Sequence, residues 1–242
     1  MPKFVTAAEA VALTKDGDML ATSGFVGSVF PEHVATAIQE SFLATGHPCN
    51  LGVMYAAGQG DSKERGLNHL GEEGLLTKVI GGHYGLQPKV QKLALENKCA
   101  AYNFPQGVIS HMFRDIAGRR PGTITHVGLR TFVDPRLEGG KLNELAKAED
   151  PVEVITIGGQ EKLFYHAQHI DVAIIRATFA DTKGNLTFEH EALYAESVSI
   201  AQAAKACGGI VIAQVEDVVE YGNPQTRFVT IPGLYVHAVV QA

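Results

Sequence analysis

The stretch MLATSG at 19–24, which runs directly into FVGSVFPEHVATAIQESFL at 25–43, decides the fold class. MLATSG carries no charge and reads as a buried strand. Pro31 and Glu32 then suit the first turn of a helix, where an N–H is not needed and a carboxylate meets the positive end of the helix dipole. A glycine-bearing turn lies between them. Strand, glycine turn and helix in that order form the repeating half of a βαβ unit.

The same alternation extends in both directions. LGVMYA (51–56), TKVIGG (77–82) and CAAYN (99–103) read as further short strands, separated by a helix opened by Pro88 and followed by one through VISHMFRDIAG (108–118). Upstream, Thr6 stands three residues before Glu9 at the head of TAAEAVALTK, the signature of a capping box on a short first helix. Parallel strands need crossovers of a dozen or more residues, so the alternation predicts an α/β fold: an open, mainly parallel sheet with helices on its faces.

The pattern changes at VEVITI (152–157), where Gly158-Gly159 and the following QEKLFYH predict a local antiparallel hairpin with a tight turn. IDVAIIRATFAD (170–181) resumes the strand character, Gly184-Asn185 marks a turn, ALYAESVSIAQAAKA (192–206) reads as one long helix, and GGIVIAQVE (208–216) as another buried strand. FVTIPGLYVHAVVQA (228–242) is apolar and strand-like. An exposed apolar edge invites uncontrolled pairing, so this segment is covered either by the domain's own sheet or by a second domain or subunit. With no linker, repeat or low-complexity tract, residues 1–242 read as one domain.

The 242 residues are 45% apolar and 19% charged, enough for a sizeable core. A formal net charge of -6 argues against nucleic acid as a partner, because phosphate-backbone binders present a basic stripe. Cys49, Cys99 and Cys207 are odd in number and far apart, which suits reduced thiols. The first residues are broken by charge, and no apolar run approaches the roughly 20 residues of a membrane span. The expectation is a cytoplasmic protein without a membrane segment.

The motifs offer paired readings. GFVG (24–27) puts Gly24, Phe25, Val26 and Gly27 between a strand and a helix, where a ligand can approach the backbone and the helix amides can receive negative charge; a purely structural turn is the competing reading. The spacing is not G-x-G-x-x-G, and no phosphate-loop pattern occurs. AGQGDSKERG (57–66) reads as a mobile segment at the ligand edge or as an ordinary solvated loop. In YNFPQG (102–107), Gln106 is placed to donate to a carboxylate or carbonyl oxygen, or to cap a helix. VGLRTFVDPRLEGGKLNE (127–144), with Arg130, Arg136 and Lys141, reads as a lid or anion-contacting loop, or as solvated surface. Glu189, His190 and Glu191 form an acid-base-acid run with a general-acid or nucleophile reading against a helix-start one. No H-E-x-x-H helix exists, and His166 and His169 lack a third ligand, so no metal is expected. Neither a G-x-S-x-G elbow nor a catalytic cysteine setting is present.

The order of these motifs resembles that of class I coenzyme A transferases, especially the short-chain acetate and propionate transferases with two halves fused in one chain. The resemblance spans SGFVGSVFPEHV (23–34), GGHYGLQPKV (81–90), YNFPQGV (102–108), THVGLRTFVDPRLEGGKLNE (125–144) and ADTKGNLTFE (180–189). It implies the amino-terminal half, or alpha subunit, of an acyl-CoA:carboxylate transferase that works with a beta subunit or carboxyl-terminal half, as an oligomer, with a coenzyme A thioester as substrate and no separate cofactor. The family's nucleophile is a glutamate in a serine-glutamate-asparagine-glycine type sequence of the second half. No S-E-N-G occurs here, so no catalytic residue is assigned to this chain. The resemblance places Gln106 facing the acyl carboxylate and Gly24 to Gly27 beside the bound thioester. Two other readings stay open: a non-catalytic ligand-binding or regulatory module of this fold, and a stand-alone isomerase or hydrolase using Glu189 or Glu191.

Overall fold

The structure, a computed structural model, describes residues 1–222 and 226–242. The chain begins with β1 (Lys3–Phe4), α1 (Ala7–Val11), β2 (Met19–Thr22), α2 (Glu32–Thr45), β3 (Leu51–Tyr55), β4 (Leu76–Gly81), α3 (Pro88–Leu95), β5 (Ala100–Asn103) and α4 (Gln106–Ala117). It continues through β6 (Gly122–Thr125), β7 (Val152–Ile157), β8 (Gln160–His166), β9 (Val172–Arg176), β10 (Phe179–Asp181), β11 (Leu186–Thr187), α5 (Ser197–Ala206), β12 (Ile210–Val215), β13 (Asp217–Val219) and β14 (Ala238–Gln241).

Eight strands form one sheet in the order β1-β14-β12-β9-β2-β3-β4-β5, and every pairing in it is parallel. Both faces are covered, which is why its central strands are mostly apolar instead of alternating. Leu20, Val53, Val79 and Ile174 pack under α2 and α3 with Val34, Ile38, Val90 and Leu93. Their sequence neighbours Ala21, Met54, Ile80 and Ile175 point the other way, into a core shared with Ile109, Met112 and Phe113 of α4 and Ile200 and Ala204 of α5. Among the described residues no helix is long and apolar enough to cross a membrane.

The capping box forms as read: Thr6 N–H donates to Glu9 Oε2 at 2.8 Å, and Glu9 N–H to Thr6 Oγ1 at 3.2 Å. The hairpin also forms over its expected residues, β7 against β8, with Gly158 and Gly159 at φ 59° and 74°, a region that side-chain-bearing residues avoid. It recruits β6 as a third antiparallel strand, and this small sheet meets the main core where Tyr165 stands edge-on to Phe104, ring centroids 5.4 Å apart.

Three expected boundaries differ. The single strand at 170–181 is two: after Arg176 the chain leaves the main sheet, because Thr178 N–H turns to Thr187 O, and β10 joins β11 and β13 in a separate sheet. The helix expected from 192 starts at Ser197, since Ala195 has a positive φ of 44° that no α-helix accommodates. Of the apolar run at 228–242, only Ala238–Gln241 is a strand, and it lies inside the sheet between β1 and β12. The alternative that the domain's own sheet covers it is the one realised, so an uncovered strand no longer argues for a docking partner.

Candidate functional site

All eight strands of the main sheet run the same way, so the loops after β2, β3, β4, β5, β9 and β12 meet at one edge. Ligands of open α/β sheets bind at that carboxyl edge because the strand-to-helix loops there converge and carry no regular backbone pairing of their own.

After β2, Phe25 and Ser28 exchange backbone hydrogen bonds of 3.0 and 2.9 Å around Val26 and Gly27. Val26 and Val29 have φ of 56° and 58°, a conformation that costs a β-branched residue about 1–2 kcal/mol and is found mainly at sites where the surroundings impose it. The imposing partner is the loop after β3: Val26 N–H donates to Gly58 O and Gly60 N–H to Val26 O, both at 2.8 Å. The turn leaves Phe25 and Val26 half exposed. A Cβ at Gly27 would meet nothing within 4 Å, so the chain itself makes no demand for glycine there.

Gln59 locks these two loops together. It is fully buried, accepts from Thr22 Oγ1 at 2.7 Å and donates from Nε2 to Thr22 O at 3.0 Å. Gln59 thus fastens the first part of the 57–66 segment, while residues 61–65 are exposed as in a solvated loop. Ala57 to Gly60 are buried, and the Asp61 carboxylate accepts from the backbone of Lys63, Glu64 and Arg65 at 2.9–3.0 Å.

The α2 amides are also engaged within the protein. Gln214 Oε1, reaching across from β12, accepts from His33 N–H at 3.0 Å and Val34 N–H at 3.3 Å, so these donors are not open to an anion. Glu32 turns away to His69 Nε2 at 2.9 Å and Gly66 N–H at 3.0 Å; burial raises its carboxyl, but these bonds outweigh burial and leave the pKa below its ordinary value.

Gln106 is the first residue of α4. It is exposed, and no hydrogen bond from its side chain is formed among the described residues; Pro105, not Gln106, is the N-cap. Its backbone sits against Gly82, where a Cβ would lie 3.2 Å from Gln106 Cα and only 2.0 Å from Ala56 O. A Cβ at Gly58 would likewise lie 2.7 Å from the His83 ring. The glycine turn, the Gln59 loop, His83 and Gln106 thus form a continuous series along the edge.

Farther along, Arg176 at the end of β9 binds Glu191 (Nε to Oε1, 2.6 Å) and Glu216 (3.2 Å), and Glu216 also meets His190 Nδ1 at 2.8 Å. The Glu191 side chain is only 5% exposed. A carboxylate buried against a guanidinium is held for structure, since freeing it as a nucleophile would break the shorter of the two arginine pairs and leave a buried charge without its partner. Glu189 is exposed. In the 127–144 run two of the three cations are engaged: Arg136 holds buried Asp134 through Nε and a terminal nitrogen at 3.0 and 2.8 Å, and Lys141 pairs with Asp150, whereas the Arg130 guanidinium forms no hydrogen bond or ion pair among the described residues.

Sequence reasoning missed Gln59, Gln214, Arg176 and Gly82. The signal for two of them was visible, since Gln214 and Arg176 are polar residues in the otherwise apolar runs IVIAQV and VAIIR, where burial obliges them to find partners.

An all-parallel α/β sheet whose carboxyl edge gathers glycine turns and amide side chains is the architecture of a small-ligand-binding α/β protein. Residues 4–242 match the family model described as Coenzyme A transferase, and the chain belongs to that family. It is 47% identical to a caffeate CoA-transferase of Acetobacterium woodii over 242 residues, all of this chain and 46% of that protein. The crystal structure of an acyl-CoA transferase (YdiF) from E. coli O157:H7, in a thioester complex with CoA, superposes with a TM-score of 0.97 at 39% identity, covering 100% of this chain and 47% of that one. The acetate CoA-transferase subunit alpha of Escherichia coli K12 is 25% identical over 98% of this chain and 96% of its own length. The chain therefore spans about half the length of the curated relatives it matches most strongly.

Proposed function

We propose that this chain is the amino-terminal half, or alpha subunit, of an acyl-CoA:carboxylate transferase that moves coenzyme A between short-chain acids, with the nucleophilic glutamate on a second half. The observation that carries the reading is one of extent: the chain matches nearly the whole of an alpha subunit and about half of the longer caffeate CoA-transferase. The chemistry of the edge agrees. It offers exposed backbone at Gly27 and an unengaged amide at Gln106, while Glu191 is fixed in an ion pair.

In this mechanism the glutamate carboxylate attacks the thioester carbonyl and expels CoA thiolate, leaving an acyl-glutamyl anhydride. The thiolate returns to the glutamyl carbonyl, releases the first carboxylate and leaves a glutamyl-CoA thioester. The second acid reverses both steps. Only a carboxylate nucleophile preserves the acyl activation through the exchange. Gln106 donates its N–H to the carboxylate oxygen as charge shifts onto it, and the Gly24, Phe25, Val26 and Gly27 turn shapes the pocket beside the thioester.

A second reading of the substrate is favoured by the 47% relative, whose name makes an aryl-acrylic acid the exchange partner. Comparing kcat/KM for propionate and caffeate as acceptors from acetyl-CoA separates the two. The half-enzyme reading itself is tested by assaying the chain with and without its second half. Transfer only in the combined sample is expected; turnover by the chain alone, or release of free CoA by it, overturns the reading.

A further inference from the structure

At the opposite edge of the sheet, where chains enter β2 and β3, Asp16, His47 and Cys49 each offer one ligand atom, and the three atoms lie within 4.8 Å of one another. From this cluster we infer a surface site for one divalent transition cation of the zinc class, held by a carboxylate oxygen, an imidazole nitrogen and a thiolate sulfur, with solvent in the fourth position.

The donors come from two loops that are already fastened together. Gly17 N–H donates to Cys49 O at 2.9 Å, Cys49 N–H to Asp16 Oδ1 at 2.9 Å, and Gly52 N–H to Asp18 O at 3.0 Å. On the far side of the histidine, Ser41 and Thr45 hydroxyls both donate to His47 O, at 2.7 and 3.1 Å. The backbone under all three ligands is thus set before a cation arrives, and only side-chain rotation remains. Asp16 Oδ2 and His47 Nδ1 are 2.8 Å apart. Ligands of a tetrahedral zinc stand about 3.5 Å from one another, so with all three atoms within 4.8 Å the cluster needs changes in separation of no more than about 1.3 Å to admit the ion.

Donor type selects the cation. Magnesium and calcium require oxygen shells, whereas one oxygen, one nitrogen and one sulfur suit zinc and its neighbours, and three protein ligands leave an exchangeable position. As the metal bonds form, the Cys49 thiol gives its proton to solvent and the His47 Nδ1 proton leaves as well, the neutral ring keeping its proton on Nε2, so that the cation takes the place of the hydrogen bond between His47 and Asp16. The site spans the entries to two adjacent strands, and an ion there fastens them far from the carboxyl edge.

The test is a titration of chelator-treated protein with Co2+, read by the thiolate-to-cobalt charge-transfer absorption and displaced by Zn2+. One equivalent with that band is expected. Cys49→Ser abolishes the band, and His47→Ala or Asp16→Asn weakens binding roughly tenfold or more, since even indirect partners of a metal ligand are worth about that much. Circular dichroism verifies that these surface variants fold. Zn2+ also protects Cys49 from alkylation, mapped by peptide mass spectrometry, without protecting Cys207. Binding without a thiolate band, a band that survives Cys49→Ser, or no uptake of an equivalent overturns the site.

Discussion

Substituting Gly82 by alanine tests whether the junction between β4 and α4 positions Gln106. The new Cβ would lie 2.0 Å from Ala56 O and 3.2 Å from Gln106 Cα, so to reach ordinary contact the end of β3 must give by more than about 1 Å and the start of α4 by a few tenths of an ångström. Both neighbours are backbone, and no side chain can swing aside. Overpacking of this kind costs about 2–3 kcal/mol, which for a chain of this size lowers Tm by about 5–10 °C. Since a 1 Å displacement of a group that orients substrate costs on the order of 100-fold in turnover, a shift of a few tenths at Gln106 is expected to cost about 3- to 10-fold. Both effects are read on the assembled transferase, by calorimetry and by steady-state CoA transfer at a temperature where the variant is folded. Gly107→Ala is the control, because a Cβ there meets nothing within 4 Å and alanine favours helix by up to about 1 kcal/mol. Gly82→Ala with the Tm and kcat of the parent would refute the reasoning.

Gln214→Ala strips the His33 and Val34 amides of their acceptor, and chemical denaturation is expected to show a loss of about 1–2 kcal/mol. Glu191→Gln breaks a buried pair with Arg176 and is expected to cost about 3 kcal/mol in denaturant unfolding, while kcat of the folded fraction stays within about twofold. A collapse of kcat at unchanged stability would return Glu191 to a chemical role. The bonds from Arg136 hold the Asp134 carboxyl well below the usual carboxylate range, so its contribution to stability is fully present above that range and is lost as pH falls from it down through the depressed folded-state value; Asp134→Asn should flatten the acid side of a Tm-versus-pH curve. Gln106→Ala should leave the unfolding free energy within about 0.5 kcal/mol of the parent, since the side chain is exposed, and lower kcat/KM by about 10- to 100-fold.

The elements that sequence patterning captured are those in which one local rule suffices. Apolar runs between helix-start signals found β2, β3, β4 and β12, and Gly158-Gly159 found the hairpin to the residue. Long-range pairing defeated the same rules. Nothing local to IDVAIIRATFAD says that Thr178 will prefer Thr187 to the main sheet, and nothing in the final residues says that β14 will slot between β1 and β12. The site divides the same way. Gln106 and the GFVG turn stand out as small or amide residues between a strand and a helix, and the structure brings both to the carboxyl edge. That the α2 amides are already occupied follows only from Gln214, about 180 residues away in the chain. The Asp16, His47 and Cys49 cluster escaped notice because its first ligand lies 31 residues before the second, outside any short metal-binding spacing.

The central claim is that the covalent chemistry resides outside these 242 residues. Its most direct test is mass spectrometry of the assembled enzyme, denatured after brief exposure to acyl-CoA, with the covalent CoA adduct mapped by peptide. The account predicts an adduct outside residues 1–242, with Glu189 and Glu191 unmodified. An adduct within residues 1–242 would contradict it and place the nucleophile on this chain.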